Sequence, residues 1–229
     1  MSSKTVLVLG FRLWALDYNM DNVKNIIFDL GGVIMEIDVK QTLNAFSRLG
    51  IKNIENYFGH GFAASFFSDQ EAGKISDEEF LKEIKKLLTE EASDDAVEIS
   101  DEAVIDAWNA LLLQFPPERI SLLKEIKSRY RLFLFSNTNA IHYDKFREIY
   151  RNSFAGELED LFEKAYFSHS MGHRKPDIGG FELIIRENGL DPKQTLFVDD
   201  AFINVEGALK TGLKGLYLPP GFYITDIRW

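Results

Sequence analysis

The chain has no cysteine, only four histidines and six prolines among 229 residues, and no apolar run long enough to span a membrane. Without thiols there are no disulfides, thiolate metal centres or cysteine nucleophiles, and the composition fits a reducing, cytoplasmic setting. A bilayer crossing needs about 20 consecutive apolar residues. The apolar run from Thr5 to Phe11 is cut short by Arg12, and no small-residue cleavage site follows. Neither a secretory signal nor a membrane partner is therefore expected. Positive charge is also scarce: 26 Lys+Arg against 36 Asp+Glu give a net charge of −10. That argues against a nucleic-acid partner, which requires clustered cations. Glycine and proline are too few for a fibrous or disordered chain. What remains is 45% hydrophobic, enough for one packed core with a smaller appended unit.

Asn25-Ile26-Ile27-Phe28 is an apolar β-forming run that stops at Asp29-Leu30-Gly31-Gly32. Continuous apolarity suits a central strand buried on both faces, and the glycine pair marks a tight turn. A helical stretch follows. Asp38–Leu49 ends at Gly50, and Ser76 with Glu79 forms a capping box ahead of Phe80, Ile84, Leu87 and Leu88. The spacing predicts a further helix over Asp101–Phe115, closed by Pro116-Pro117. Beyond Pro117 helices and strands alternate. Strands are expected at Leu132–Phe135, near Ala165–Phe167, at Leu196–Val198 and at Gly215–Leu218, with helices at Glu118–Arg129, Phe181–Asn188 and Ile203–Thr211. This alternation predicts an α/β fold, a parallel sheet with helices on both faces. Residues 20–37 and 117–229 are expected to form the core, with residues 38–116 as a helical insertion. Residues 1–19 are expected to be a dispensable extension, because Met20 stands immediately before the first interpretable segment.

Asp29, Ser136-Asn137 and Asp199-Asp200 all fall where an apolar strand ends. In an open parallel sheet the carboxyl ends of the strands form one rim, where ligands bind. Lys175, in a loop after another strand, joins the same rim. Three carboxylates repel one another unless a cation is present. Hard oxygen donors of this type suit Mg²⁺, which takes one or two carboxylates together with water and phosphate oxygens. The residues alone therefore point to a metal-assisted anion site.

They also carry a resemblance. Phe28-Asp29-Leu30-Gly31-Gly32-Val33, Leu134-Phe135-Ser136-Asn137-Thr138, Lys175-Pro176 and Phe197-Val198-Asp199-Asp200 with Asn204 resemble, in order, the four motifs of the haloacid dehalogenase-like superfamily. The likeness is greatest to its sugar-phosphatase branch and to the phosphatase domain attached to some epoxide hydrolases. It implies a Rossmann-like core with a small helical cap after the first motif strand, a Mg²⁺ cofactor, and a small phosphorylated metabolite as substrate. By the same resemblance Asp29 is the catalytic nucleophile and a metal ligand. The Gly31 carbonyl and Asp200 hold the metal, with Asp199 supporting it directly or through water. Ser136 and the Asn137 backbone bind the phosphoryl group, and Lys175 pairs with both Asp29 and that group. Asn204 either completes the fourth motif or only fastens its loop.

One departure stands out. Phosphatases of this superfamily usually carry a second Asp two residues after the nucleophile as general acid/base, and here that position is Gly31. A positioned acid or base contributes about 10²–10⁴-fold in rate. Two alternatives therefore stand beside the phosphatase: a metal-independent 2-haloacid dehalogenase, and a catalytically weak protein that binds a phosphorylated ligand. Outside the motifs, Phe58, Phe62, Phe66 and Phe67 are expected to pack the helical unit. His60, His142, His169 and His173 show no metal-ligand spacing. Residues 70–74 are expected to face the site as part of a lid.

Overall fold

The computed structural model describes residues 7–8, 11–12, 20–51, 65–91 and 99–229. Near the start, β1 (Leu7–Val8) and β2 (Phe11–Arg12) pair antiparallel as a short separate ladder. The core sheet contains β3 (Asn25–Phe28), β4 (Arg131–Ser136), β5 (Lys164–Phe167), β6 (Thr195–Asp199) and β7 (Lys214–Tyr217). All its pairings are parallel, in the order β5-β4-β3-β6-β7.

The strands read as continuous apolar runs because both faces of the sheet are covered. Ile26, Phe28, Leu132, Leu134, Leu196 and Val198 point to one core. Helices α5 (Pro117–Ile126) and α6 (Ala140–Ser153) close it with Ile120, Leu123, Phe146 and Tyr150. The alternate residues Ile27, Phe133, Phe135 and Phe197 point to the other core. Helices α8 (Ile178–Asn188) and α9 (Phe202–Leu209) cover that face with Phe181, Ile184, Val205 and Ala208. A short helix, α7 (Ser168–Met171), follows β5.

Four helices lie between β3 and α5: α1 (Val39–Leu49), α2 (Ser65–Glu71), α3 (Asp77–Glu91) and α4 (Asp101–Asn109). They share a third core of Phe46, Phe67, Phe80, Ile84, Val104 and Trp108. The capping box is present: Glu79 N–H donates to Ser76 Oγ at 3.1 Å, and Ser76 N–H donates to Glu79 Oε2 at 2.8 Å. Gly50 adopts the left-handed conformation that ends α1. Phe66 and Phe67 stack on Phe80, and Phe67 on Trp108, so these aromatics pack the unit as expected. Phe58, Phe62, His60 and the side chain of Leu88 lie outside the described residues.

The helix expected over Asp101–Phe115 is shorter. It ends at Asn109, after which the chain runs alongside the segment leaving β3. Glu36 N–H donates to the Gln114 carbonyl, Leu113 N–H to the Glu36 carbonyl, and Asp38 N–H to the Leu111 carbonyl. Thr42 Oγ1 accepts from Leu111 N–H at 3.0 Å and donates to the Trp108 carbonyl at 3.0 Å. Tertiary hydrogen bonds thus replace the last helical turn. The entry and exit of the helical unit are joined in one ribbon, with Ile37 bridging Leu112.

Candidate active site

From β3 the chain proceeds outward to β4 and β5 on one side, and from β6 to β7 on the other. Diverging connections leave a crevice at the carboxyl ends of β3 and β6. Asp29 follows β3 and Asp199 ends β6, so the two motifs meet there. Asp29 N–H donates to the Val198 carbonyl at 2.9 Å, which extends the sheet by one bond into the site.

Lys175 lies between the two acids. Its ammonium donates to Asp29 Oδ1 at 2.5 Å and to Asp199 Oδ2 at 2.7 Å, and its side chain is only 1% exposed. Such a buried cation persists only where it is paired. Burial pushes its pKa down, but Asp199 and Asp29 together outweigh this and raise it, so the lysine stays charged. Asn137 fastens the loop: its Nδ2 donates to the Lys175 carbonyl at 2.9 Å, and its Oδ1 accepts from Lys175 N–H at 2.8 Å. Asp199 is fully buried and also accepts from Ala201 N–H at 2.7 Å and from Asn204 Nδ2 at 3.2 and 3.1 Å. Asn204 therefore fastens Asp199.

Carboxylate oxygens of Asp29, Asp199 and Asp200 lie within 4.8 Å of one another. Three carboxylates face one ammonium, and burial together with this imbalance raises the pKa of two of them. Burial raises Asp29 to about 7 against the pull of Lys175, with Asp199 and Asp200 adding to the rise. Burial and Asp199 raise Asp200 to about 6. Without a further cation the cluster holds a proton near neutrality; a divalent ion would remove that need. The donor set fits one. Both oxygens of Asp199 accept from Lys175, Asn204 or Ala201, whereas Asp29 gives only Oδ1 to Lys175, which leaves Asp29 Oδ2 and Asp200 as two hard oxygen donors. The Gly31 carbonyl is a third, because the turn around it is closed by Gly32 N–H to Met35 and by Met35 N–H to Leu30, neither of which uses that carbonyl. Gly32 has φ +75°, and a Cβ there would fall 2.0 Å from Asp200 Oδ2. The glycine is what lets this carboxylate approach the turn.

A cavity of about 300 Å³ opens between this rim and the helical unit. Gly31, Ser136, Asn137 and Thr138 line the rim side; Phe67, Glu71 and Trp108 line the other. The loop after β4 is tied down by Ser168, whose Oγ accepts from Thr138 N–H at 2.9 Å and donates to the Thr138 carbonyl at 3.0 Å. A Cβ on Gly31 would meet Ile37 Cδ1 at 3.1 Å, so an isoleucine methyl stands where an acid at position 31 would project.

Of residues 70–74, Glu71 lines the cavity and Gly73 presses on the core: its φ is +67°, and a Cβ there would lie 2.1 Å from the His169 carbonyl oxygen. Among the cavity residues that sequence reasoning did not assign to the site are Arg174 and His142. Arg174 had no signal beyond adjacency to Lys175. His142 sits on α6, with Nε2 directed at the Trp108 carbonyl at 3.1 Å and Nδ1 facing Asn139 Nδ2 at 3.0 Å. Burial lowers its pKa to about 4, so it is neutral. His173 is exposed beside Asp177, and His169 is half-buried against Tyr143.

A family model described as haloacid dehalogenase-like hydrolase matches residues 23–212. The chain is 29% identical over 192 residues to D-ribitol-5-phosphate phosphatase of Bacteroides thetaiotaomicron, covering 84% of this chain and 90% of that protein. Among solved structures it is similar to a HAD family enzyme of the same organism in complex with magnesium and inorganic phosphate. The TM-score is 0.77 and the identity 32%, over 87% of this chain and 96% of that one. A HAD-like family hydrolase of Porphyromonas gingivalis aligns with a TM-score of 0.76 and 30% identity, over 87% of this chain and 92% of that one.

Proposed function

Because the chain belongs to the haloacid dehalogenase-like hydrolases, we propose that it is a Mg²⁺-dependent phosphoric monoester hydrolase acting on a small hydroxylated metabolite such as a sugar-alcohol phosphate. The observation that carries this reading is the convergence of Asp29, Lys175, Asp199 and Asp200 beneath a cavity bounded by Ser136. The same trio of carboxylates sets it above the metal-independent dehalogenase. The D-ribitol-5-phosphate phosphatase relative and the cavity's modest volume support a short polyol ester.

In this reading Asp29 attacks phosphorus and the ester oxygen leaves, giving an aspartyl-phosphate that water then hydrolyses. Asp29, Asp200 and the Gly31 carbonyl would hold the Mg²⁺, which would supply charge neutralisation for the phosphoryl oxygens. Lys175 keeps Asp29 aimed and adds a fixed positive charge at the reacting centre. Ser136 Oγ and the Asn137 N–H donate to the phosphoryl oxygens. With Ile37 filling the space beside Gly31, the leaving-group proton comes from solvent or from a hydroxyl of the substrate itself. The helical unit acts as the cap, excluding bulk water and shaping the leaving-group site.

The test is phosphate release from a panel of sugar-alcohol phosphates, sugar phosphates and nucleotides, with Mg²⁺ or with chelator, by wild type and Asp29→Asn. Release that needs both Mg²⁺ and Asp29 is the expected result. Equal release by both proteins, or halide release from 2-haloacids in chelator, would overturn it.

A further inference from the structure

Arg174 lines the cavity from the core and Glu71 lines it from the last turn of α2. The guanidinium donates from Nε at 3.1 Å and from Nη2 at 2.7 Å, and both bonds reach the same oxygen, Glu71 Oε2. Glu71 Oε1 and Arg174 Nη1 take no part in these bonds. Met35, Ile37, Phe67, Trp108 and Leu111 give the cavity apolar wall, while Ser68, Ser136, Asn137, Thr138 and His142 give it polar wall. The Arg174 and Glu71 side chains are 37% and 23% exposed, so solvent screens the two charges in part and their pairing does the rest. A lone guanidinium would draw any second anionic group of a substrate into the cavity. Paired with Glu71, the same guanidinium presents no net charge, while the pair still offers a donor and an acceptor to hydroxyls. The position of Glu71 does not depend on the ion pair alone. The turn after α2 lies against the backbone of α7, where Gly73 leaves no room for a side chain beneath the His169 carbonyl.

We propose that the Glu71–Arg174 pair is the selectivity element of this enzyme. It admits phosphate monoesters whose leaving group is a neutral hydroxylated chain, and it rejects esters that carry a second anionic group such as a carboxylate or another phosphate. This rests on the phosphatase reading above and adds a rule for which esters are used.

The experiment compares kcat/KM for two matched esters, a pentitol 5-phosphate and the corresponding pentonate 5-phosphate, which differ by a hydroxymethyl group against a carboxylate. Glu71→Gln unmasks Arg174, and the carboxylate-to-polyol ratio rises about tenfold, mainly through a lower KM for the carboxylate ester, as a charge-assisted hydrogen bond implies. Arg174→Gln leaves the Glu71 charge alone, and the ratio falls by a similar factor. A merely structural pair would weaken both esters in parallel, leaving the ratio unmoved in either variant, and that result overturns the proposal. Should Glu71→Gln fail to fold, Arg174→Gln decides by the direction in which it moves the ratio. A wild type that prefers the carboxylate ester refutes the selectivity alone. A wild type inactive on every ester defeats the phosphatase reading and this one with it.

Discussion

The side-chain amide of Asn137 grips the Lys175 peptide from both sides, accepting from its N–H and donating to its carbonyl. Two motifs that lie 38 residues apart are thereby locked into one piece. Asn137→Ala should lower kcat by about 10²-fold, the usual cost of misplacing a catalytic group by about an ångström. Its melting temperature should fall only slightly, because the lost bonds lie in a partly exposed loop. Steady-state kinetics paired with calorimetry checks the split.

Lys175 neutralises two buried acids, so its loss harms more than turnover. Lys175→Met should abolish activity and destabilise the protein by about 3–5 kcal/mol, the scale of breaking a buried ion pair from one side. Chemical denaturation near pH 7 measures this. The cost should shrink at pH 5, where Asp29 takes up a proton in place of its partner.

Metal removal should reverse the pH response of stability. In metal-free protein Asp29 holds its proton up to about 7, whereas the unfolded chain releases it near 3.8. A folded pKa raised above the unfolded one contributes stability at low pH that is lost as pH rises through the folded value. Asp200, raised to about 6, adds to the same trend. The increase in melting temperature produced by Mg²⁺ should therefore be larger at pH 7.5 than at pH 5.5. Thermal melts in Mg²⁺ and in chelator at the two pH values test this.

His142 contributes the opposite sign. Its folded pKa of about 4 lies below the ordinary 6.5, so its contribution is complete above pH 6.5 and declines as pH falls toward 4. The full loss is roughly 3 kcal/mol. The advantage of wild type over His142→Gln should narrow across that window in denaturant titrations.

Gly32→Ala should act on the metal before it acts on the fold. The added methyl would overlap the Asp200 carboxylate, and the positive φ costs roughly 1 kcal/mol more. The Mg²⁺ concentration for half-maximal activity should rise at least about tenfold, read from activity against added metal.

Much of this architecture can be read from the sequence, for a physical reason. β3, β4 and β6 are buried on both faces, so their apolar runs are continuous and the polar residues that end them stand out. The capping box at Ser76 and the helix stop at Gly50 are local chemistry, and local chemistry is legible. The early end of α4 is not, because it depends on a threonine hydroxyl 69 residues away that takes the Leu111 N–H. His142 was equally hidden: one histidine on a helix has no pattern, and its role comes from a carbonyl 34 residues distant. Arg174 gains meaning only from Glu71, 103 positions earlier on a different unit.

The ribbon that joins Glu36–Asp38 to Leu111–Gln114 has a consequence for how such a protein changes its diet. Departure and return of the chain are stitched together before any helix of the insert begins, so the insert meets the rest of the molecule mainly through this ribbon and a few side contacts such as Trp108 with His142. A change of length or sequence in the insert would therefore redraw the cavity wall formed by Phe67, Glu71 and Trp108, with Asp29 and Lys175 still anchored by the sheet and its loops.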